Sequence, residues 1–310
     1  MNAASRVKNE PDGSTHAGSN RGFTLGLGAY ALWGVLPLYF KAIADVSPVD
    51  IVAHRVAWSL PFLAALIALG KGWPKVRAVV GQPRTLAVLA LTALLIGSNW
   101  LLYTYAVVSG HILAASFGYY LNPLANVLLG RFVLKERLTR LQWIAVAVAA
   151  AGIAVLAAGA LGQLWISLTL CATFALYGLL RKIVRADAMT GLGIETGLLF
   201  PLALLWLAWR TLIGAPAFGP THMDSGLLLF AGIVSTTPLL LFTAAARKLA
   251  YSTLGMLQFI APTLQFLIAV LLYGEPFGRA HAIAFAAIWT ALGLYVTELV
   301  RAPRLPQPPE

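Results

Sequence analysis

Long apolar runs, each close to the length of a membrane-crossing helix, recur along this chain with short polar stretches between them. They predict ten helices, near 22–43, 49–69, 85–108, 112–130, 139–159, 162–181, 190–212, 225–246, 252–273 and 280–300. A hydrocarbon core about 30 Å thick takes roughly 20 helical residues to cross, so each run is long enough to span. Only Gly159, Gly162 and Gln163 mark the turn between the fifth and sixth runs. Residues 1–21 are polar, carry Pro11, Gly13, Ser14, Ser19 and Asn20, and read as a flexible cytoplasmic tail. No basic stretch feeding a short apolar core precedes a small-residue cleavage site, which argues against a cleaved signal peptide. Residues 301–310 hold four prolines after Arg301 and read as a disordered tail.

The pattern repeats. Residues 118–152 and 257–291 align at a constant shift of 139, which places Pro123 on Pro262 and Glu136 on Glu275. Pro61 pairs with Pro201 at a shift of 140, bringing Arg55 opposite Glu195, and Trp33-Gly34 pairs with Tyr177-Gly178 at 144. Each copy holds five apolar runs, and an odd number forces the copies into opposite orientations. The expected fold is an all-α integral membrane protein: ten transmembrane helices in two inverted five-helix repeats, 22–160 and 161–300. Inverted repeats are a construction of secondary transporters, which rock two halves around a central site.

Composition agrees with a life in lipid. Of 310 residues, 59% are hydrophobic and 11% charged, against about 25% charged in a soluble domain, and mean hydropathy is +0.80. The net charge of +11 would point to nucleic acid in a soluble protein. Here it follows the loops instead. With the N-terminus inside, the inner segments hold 18 Lys and Arg and the outer ones only Lys41, Arg210 and Arg279, which leaves Arg55 inside a span. That alternation fits the enrichment of cytoplasmic loops in basic residues and predicts a multi-pass protein with both termini cytoplasmic. Cys171 stands alone, so there is no internal disulfide and no cysteine-based metal site.

Several residues within the spans carry candidate chemistry. Pro123 and Pro262 lie near mid-span in equivalent helices. Proline frees a backbone carbonyl one turn earlier and kinks a helix, and in lipid that carbonyl needs a partner. Tyr119, Asn122, Gln258 and Gln265 are polar neighbours, so the two helices either line a polar cavity or are sealed packing kinks. Arg55 is a charge within a span, which by default marks a functional site. It could grip a carboxylate or carbonyl by forked hydrogen bonds, with His54 beside it and Trp58 one turn on, or it could pair with Asp45 or Asp50. Glu195 could bind a coupling proton or cation, act as a gate, or bond to a basic residue near the cytoplasmic end. At 1.5 Å per residue, Arg55 and Glu195 lie roughly 9 Å in from opposite faces, too far apart for a direct ion pair in a core about 30 Å thick. Trp33, Trp100 and Tyr103 either wall a cavity or anchor helices at the interface.

Three other classes fare worse. The histidines 16, 54, 111, 222 and 281 lack metal-binding spacing. No Gly-x-Ser-x-Gly occurs, and no phosphate-binding loop that would permit ATP-driven pumping. No catalytic, metal or cofactor site is expected. Saturable exchange would separate a carrier from a channel.

The sequence resembles the RarD permeases of the EamA-type group in the drug/metabolite transporter superfamily. The likeness rests on Tyr30-Ala-Leu-Trp33-Gly34, Leu38-Tyr39-Phe40-Lys41, Ala53-His54-Arg55 with Trp58-Ser59, Gly97-Ser98-Asn99-Trp100, Gly118-Tyr119-Tyr120-Leu121-Asn122-Pro123 and Glu136-Arg137-Leu138. Weaker points in the second half are Ile260-Ala261-Pro262-Thr263 and Tyr273-Gly274-Glu275. The resemblance implies a ten-helix permease of the bacterial inner membrane that moves a small metabolite or drug-like solute by alternating access. Its family label is linked to chloramphenicol. The expected partners are that solute and the lipid bilayer, not nucleic acid, and a homodimer stays open as an assembly. The first span has no acidic residue, unlike the small multidrug exporters of the same superfamily, so their proton-coupled mechanism does not carry over.

Overall fold

A computed structural model describes residues 13–43, 45–108, 112–157, 164–215, 218–273 and 278–301. Among these residues there is no strand, and the helical segments number twelve. They are α1 (Gly13–Ala42), α2 (Pro48–Leu69), α3 (Trp73–Val80), α4 (Pro83–Val108), α5 (Ile112–Phe132), α6 (Arg140–Ala157), α7 (Leu164–Ile183), α8 (Ala188–Leu212), α9 (His222–Ala246), α10 (Tyr251–Leu257), α11 (Ile260–Tyr273) and α12 (Arg279–Arg301). Seven candidate spans, one of them running from Tyr251 through α11, are long and apolar enough to cross a membrane, and Arg140–Val155 and Ala282–Glu298 are shorter apolar helices. The protein is therefore a multi-pass helical membrane protein.

Local chemistry sets the helix ends. Pro48 opens α2 right after Ser47, where its missing N–H costs nothing. Asp187 caps α8 by accepting from the Thr190 N–H, and Thr221 with Asp224 forms a reciprocal capping box on α9. Three boundaries depart from the sequence pattern. First, α1 begins at Gly13, inside the stretch expected to be a flexible tail; residues 13–21 contain no proline, so nothing stops the helix from running on into a polar end. Second, the polar stretch after α2 holds the eight-residue helix α3, too short to register as an apolar run. Third, the ninth predicted span is two helices. Pro262 has no N–H to give the Gln258 carbonyl, so the ladder breaks there, and the Ala261 N–H reaches that carbonyl at 3.3 Å instead. Pro123, its repeat partner, lies within an unbroken α5.

Two faces of the bundle follow from contacts at the helix ends. On one, Asp50 at the start of α2 accepts from Trp206 and Arg210 near the end of α8, both at 2.9 Å. On the other, Glu136 after α5 accepts from the Tyr251 and Ser252 backbone N–H groups at 2.6 and 3.0 Å and from the Ser252 hydroxyl at 2.7 Å, capping α10. Nearby, Lys182 reaches the Ala246 and Leu249 carbonyls and Arg247 those of Val184 and Ala186, tying the ends of α7 and α9. The main packing partners are α1 with α9 and α11, α2 with α8 and α9, α4 with α7 and α8, α5 with α7 and α10, and α6 with α12. At the α2–α9 crossing a β-carbon on Gly232 would run into the Trp58 carbonyl and the Ser59 nitrogen, so the two backbones meet directly, as small residues allow in lipid.

Candidate functional site

At the centre lies a cavity of about 160 Å³. Its wall draws on α1 near its end (Pro37, Phe40), the first half of α2 (Arg55), the second half of α4 (Asn99, Trp100, Tyr103) and the first half of α5 (Tyr119). The α10–α11 break adds Gln258, Ala261, Pro262 and Gln265, and α9 adds Ser235. These are the helix halves nearest the Asp50 face. Toward the Glu136 face the floor is aromatic: Tyr30, Trp33, Phe174, Tyr177 and Phe242 interlock with ring centroids 5.4–6.4 Å apart, the range favoured by edge and offset contacts.

Arg55 is only 9% exposed, and its charge is held by π faces rather than by a carboxylate. The guanidinium carbon sits 4.6 Å from the Trp100 ring centroid and 5.8 Å from that of Phe40. Nε donates to the Ser235 hydroxyl at 2.7 Å. The backbone beneath is pinned as well: the Ser59 hydroxyl donates to the Arg55 carbonyl at 2.5 Å and accepts from Thr236 at 2.7 Å. Asp50, one of the two partners the sequence allowed, is occupied by Arg210 and Trp206.

The break in the ninth span matters here because it turns side chains inward. Gln258, the cap of α10, accepts from the Asn126 amide of α5 at 2.8 Å, and Gln265 donates to the Trp33 carbonyl at 3.0 Å. Asn99 donates to the Leu170 carbonyl and the Thr173 hydroxyl, both at 2.9 Å, and the Tyr119 hydroxyl donates to it at 3.4 Å. The wall is thus rigid and mostly apolar, with a few fixed polar groups, which is the usual make-up of a small-molecule site.

Of the residues singled out in the sequence, the structure brings Arg55, Trp33, Trp100, Tyr103, Tyr119, Gln258, Gln265 and Pro262 onto this one wall. Four lie elsewhere. His54, one helical step round from Arg55, faces the other way: it accepts from the Trp58 indole at 3.2 Å and packs on Phe218. Asn122 is fully buried in α5, off the wall. Pro123 serves packing, since its carbonyl would lie 2.8 Å from a β-carbon on Gly255 of α10. Glu195 lies beyond the aromatic floor, 1% exposed. It accepts from the Thr92 hydroxyl at 2.5 Å and the Tyr177 hydroxyl at 3.3 Å, and pairs with Arg181 Nε at 3.5 Å.

Arg181 closes the sixth predicted run and counts among the inner charges, but the charge pattern does not show that its side chain is 0% exposed within α7, with Nη2 donating to the Asp187 and Ala188 carbonyls. The signal was present: Phe174, Tyr177, Gly178 and Arg181 fall at i, i+3, i+4 and i+7, one helix face. Ser235 had no sequence signal, because its role comes only from its bond to Arg55, and Phe40 stood out only as part of a family motif, not for its place on Arg55.

Fold and cavity together define a class: a multi-pass helical membrane protein enclosing a solute-sized chamber. Comparison with known proteins makes this definite. Residues 20–158 match the EamA-like transporter family. A transporter of Vibrio cholerae, itself uncharacterized, is 45% identical over 285 residues, covering 92% of this chain and 94% of its own. The RarD protein of Escherichia coli K12 is 42% identical over 294 residues, covering 92% and 97%. A crystal structure with 20% identity superposes with a TM-score of 0.71, covering 92% of this chain and all of that one, which shows a shared fold. The chain belongs to the EamA-like transporter family and is a membrane transporter of the RarD type.

Proposed function

We propose that this protein is a secondary active transporter that carries a small organic solute across the bacterial inner membrane by alternating access. Ten spans in two inverted repeats would supply the machinery, with α10 and α11 forming the ninth span and α3 lying outside the count. The packing pattern supports this. Exchanging each span with the one five places later turns α1–α9 into α7–α4, α1–α11 into α7–α5 and α2–α9 into α8–α4, and maps α2–α8, α5–α10 and α6–α12 onto themselves. Every image is among the main packing partners, as a two-fold axis in the membrane plane requires.

The observation that carries the reading is the position of the cavity. Arg55 and its aromatic wall lie toward the Asp50 face, while the aromatic floor and the Arg181–Glu195 pair close the way to the Glu136 face. Such an arrangement fits one of the two states that alternating access needs. In this reading Arg55, Trp33, Trp100, Tyr103, Tyr119, Gln258 and Gln265 contact solute. Pro262 provides the flexible joint, and Glu195 with Arg181 forms the closed gate. The basic residues Lys75, Lys182 and Arg247 stand on the Glu136 face, which by the positive-inside rule is cytoplasmic and would place both termini inside.

The test is exchange in proteoliposomes, with a panel of amino acids, nucleosides and small organic acids, wild type against Arg55→Ala. A saturable, trans-stimulated flux lost in a folded Arg55→Ala variant is the expected result. A folded variant that exchanges at the wild-type rate would overturn the role given to the cavity.

A further inference from the structure

We infer that the cavity takes a small monocarboxylate whose apolar body is about the size of one ring. This rests on the cavity being the transport site and commits that reading to a chemical class.

Charge comes first. Arg55 is the one ionised side chain on the wall, and no Asp or Glu lines it. Among the described residues the ion pairs are Lys75–Asp187, Arg181–Glu195 and Arg210–Asp50, so no carboxylate neutralises Arg55. Its Nε is committed to Ser235. The two terminal nitrogens, with four N–H donors between them, meet no protein acceptor among the described residues. A buried guanidinium left this way matches a carboxylate, which can take two parallel N–H bonds in the plane of the fork.

The same accounting excludes competitors. A cation would face the Arg55 charge with no carboxylate on the wall to offset it. An α-amino acid would place its ammonium against a wall without a carboxylate, and a dianion would bring one charge too many. A neutral solute would displace water from the guanidinium and return weaker bonds.

Size and shape come next. A cavity of about 160 Å³ is close to the engineered cavity of about 150 Å³ that holds benzene. Trp33, Phe40, Trp100 and Phe174 supply flat apolar faces around it. The solute is then an acid such as benzoate, its carboxylate on Arg55 and its ring against the indoles.

The experiment titrates the purified full chain in nanodiscs with benzoate, benzamide and benzylammonium, reading intrinsic tryptophan fluorescence, since Trp33 and Trp100 are in the wall. Charge-assisted hydrogen bonds of this kind make benzamide and benzylammonium bind roughly 10–100-fold more weakly than benzoate. Arg55→Gln is expected to erase that preference and Arg55→Lys to keep part of it. The comparison of the three probes is made on the wild-type chain, so a variant that fails to fold does not stop it. Equal binding of benzoate and benzamide, or no benzoate binding into the millimolar range, overturns the monocarboxylate assignment and leaves transport intact. Benzoate binding that Arg55→Gln weakens, combined with no benzoate counterflow in proteoliposomes, keeps the ligand class and sinks the transport reading.

Discussion

Removing Arg181 should harm this protein more than removing the glutamate it pairs with, and removing both should partly repair the damage. The pair is 0% and 1% exposed with Nε and Oε1 3.5 Å apart, a gross attraction of about 5 kcal/mol at an effective dielectric of roughly 20. In Arg181→Met, Glu195 keeps only the Thr92 and Tyr177 hydroxyls. Leaving one buried charge without its partner costs about 3–5 kcal/mol, which at a few degrees per kcal/mol lowers the melting midpoint by roughly 10 °C. In Glu195→Gln, Arg181 still donates to the Asp187 and Ala188 carbonyls and sits in the last turn of α7, where the helix dipole favours a cation. Its loss should be about half as large. The double variant leaves neither charge of the pair buried and should melt above Arg181→Met. The assay is thermal unfolding of the detergent-solubilised chain, followed by size-exclusion chromatography with all four forms at one heating rate. If the losses of the two single variants simply add in the double, the side chains do not depend on each other and the pair is not a unit.

Gly232→Ala should push α2 and α9 apart, because its β-carbon meets the Trp58 and Ser59 backbone rather than a movable side chain; the loss should exceed about 2 kcal/mol, seen as a lower midpoint and poor monodispersity, and a wild-type profile would show that the crossing is looser than described. Glu136→Gln replaces three charge-assisted bonds to Tyr251 and Ser252 with weaker ones and should cost about 1–3 kcal/mol, while Arg137→Gln beside it should be close to neutral in the same melt; equal effects would remove the cap from the account.

What the sequence revealed depends on whether a residue's role is local. Pro262 could be read because a missing N–H acts within one turn, and the break at Gln258 is where that rule puts it. Arg55 stood out because a charge in an apolar run has few bland explanations. Arg181 did not, since a charge at the end of a run looks the same whether the helix end is wet or buried; only Glu195 and the Gly191 backbone beside it decide. Glu136 caps a helix 115 positions away, a distance no local pattern spans. Pro123 and Pro262 match in the repeat but part in the structure, because Gly255 lets α10 press onto the Pro123 carbonyl whereas Pro262 opens onto the cavity. Glu275, the repeat partner of Glu136, lies outside the described residues.

Alternating access is most directly tested at Ser235. Ser235→Cys changes one atom on the cavity wall beside Arg55, whose charge favours the reactive thiolate. Cys171 is buried, so the unmodified chain is the blank. Vesicles of both orientations would be treated with a membrane-impermeant methanethiosulfonate. The account predicts labelling from the Asp50 face, slower labelling from the Glu136 face, and no steady ionic current. Labelling from one face only, under every solute gradient, would contradict it.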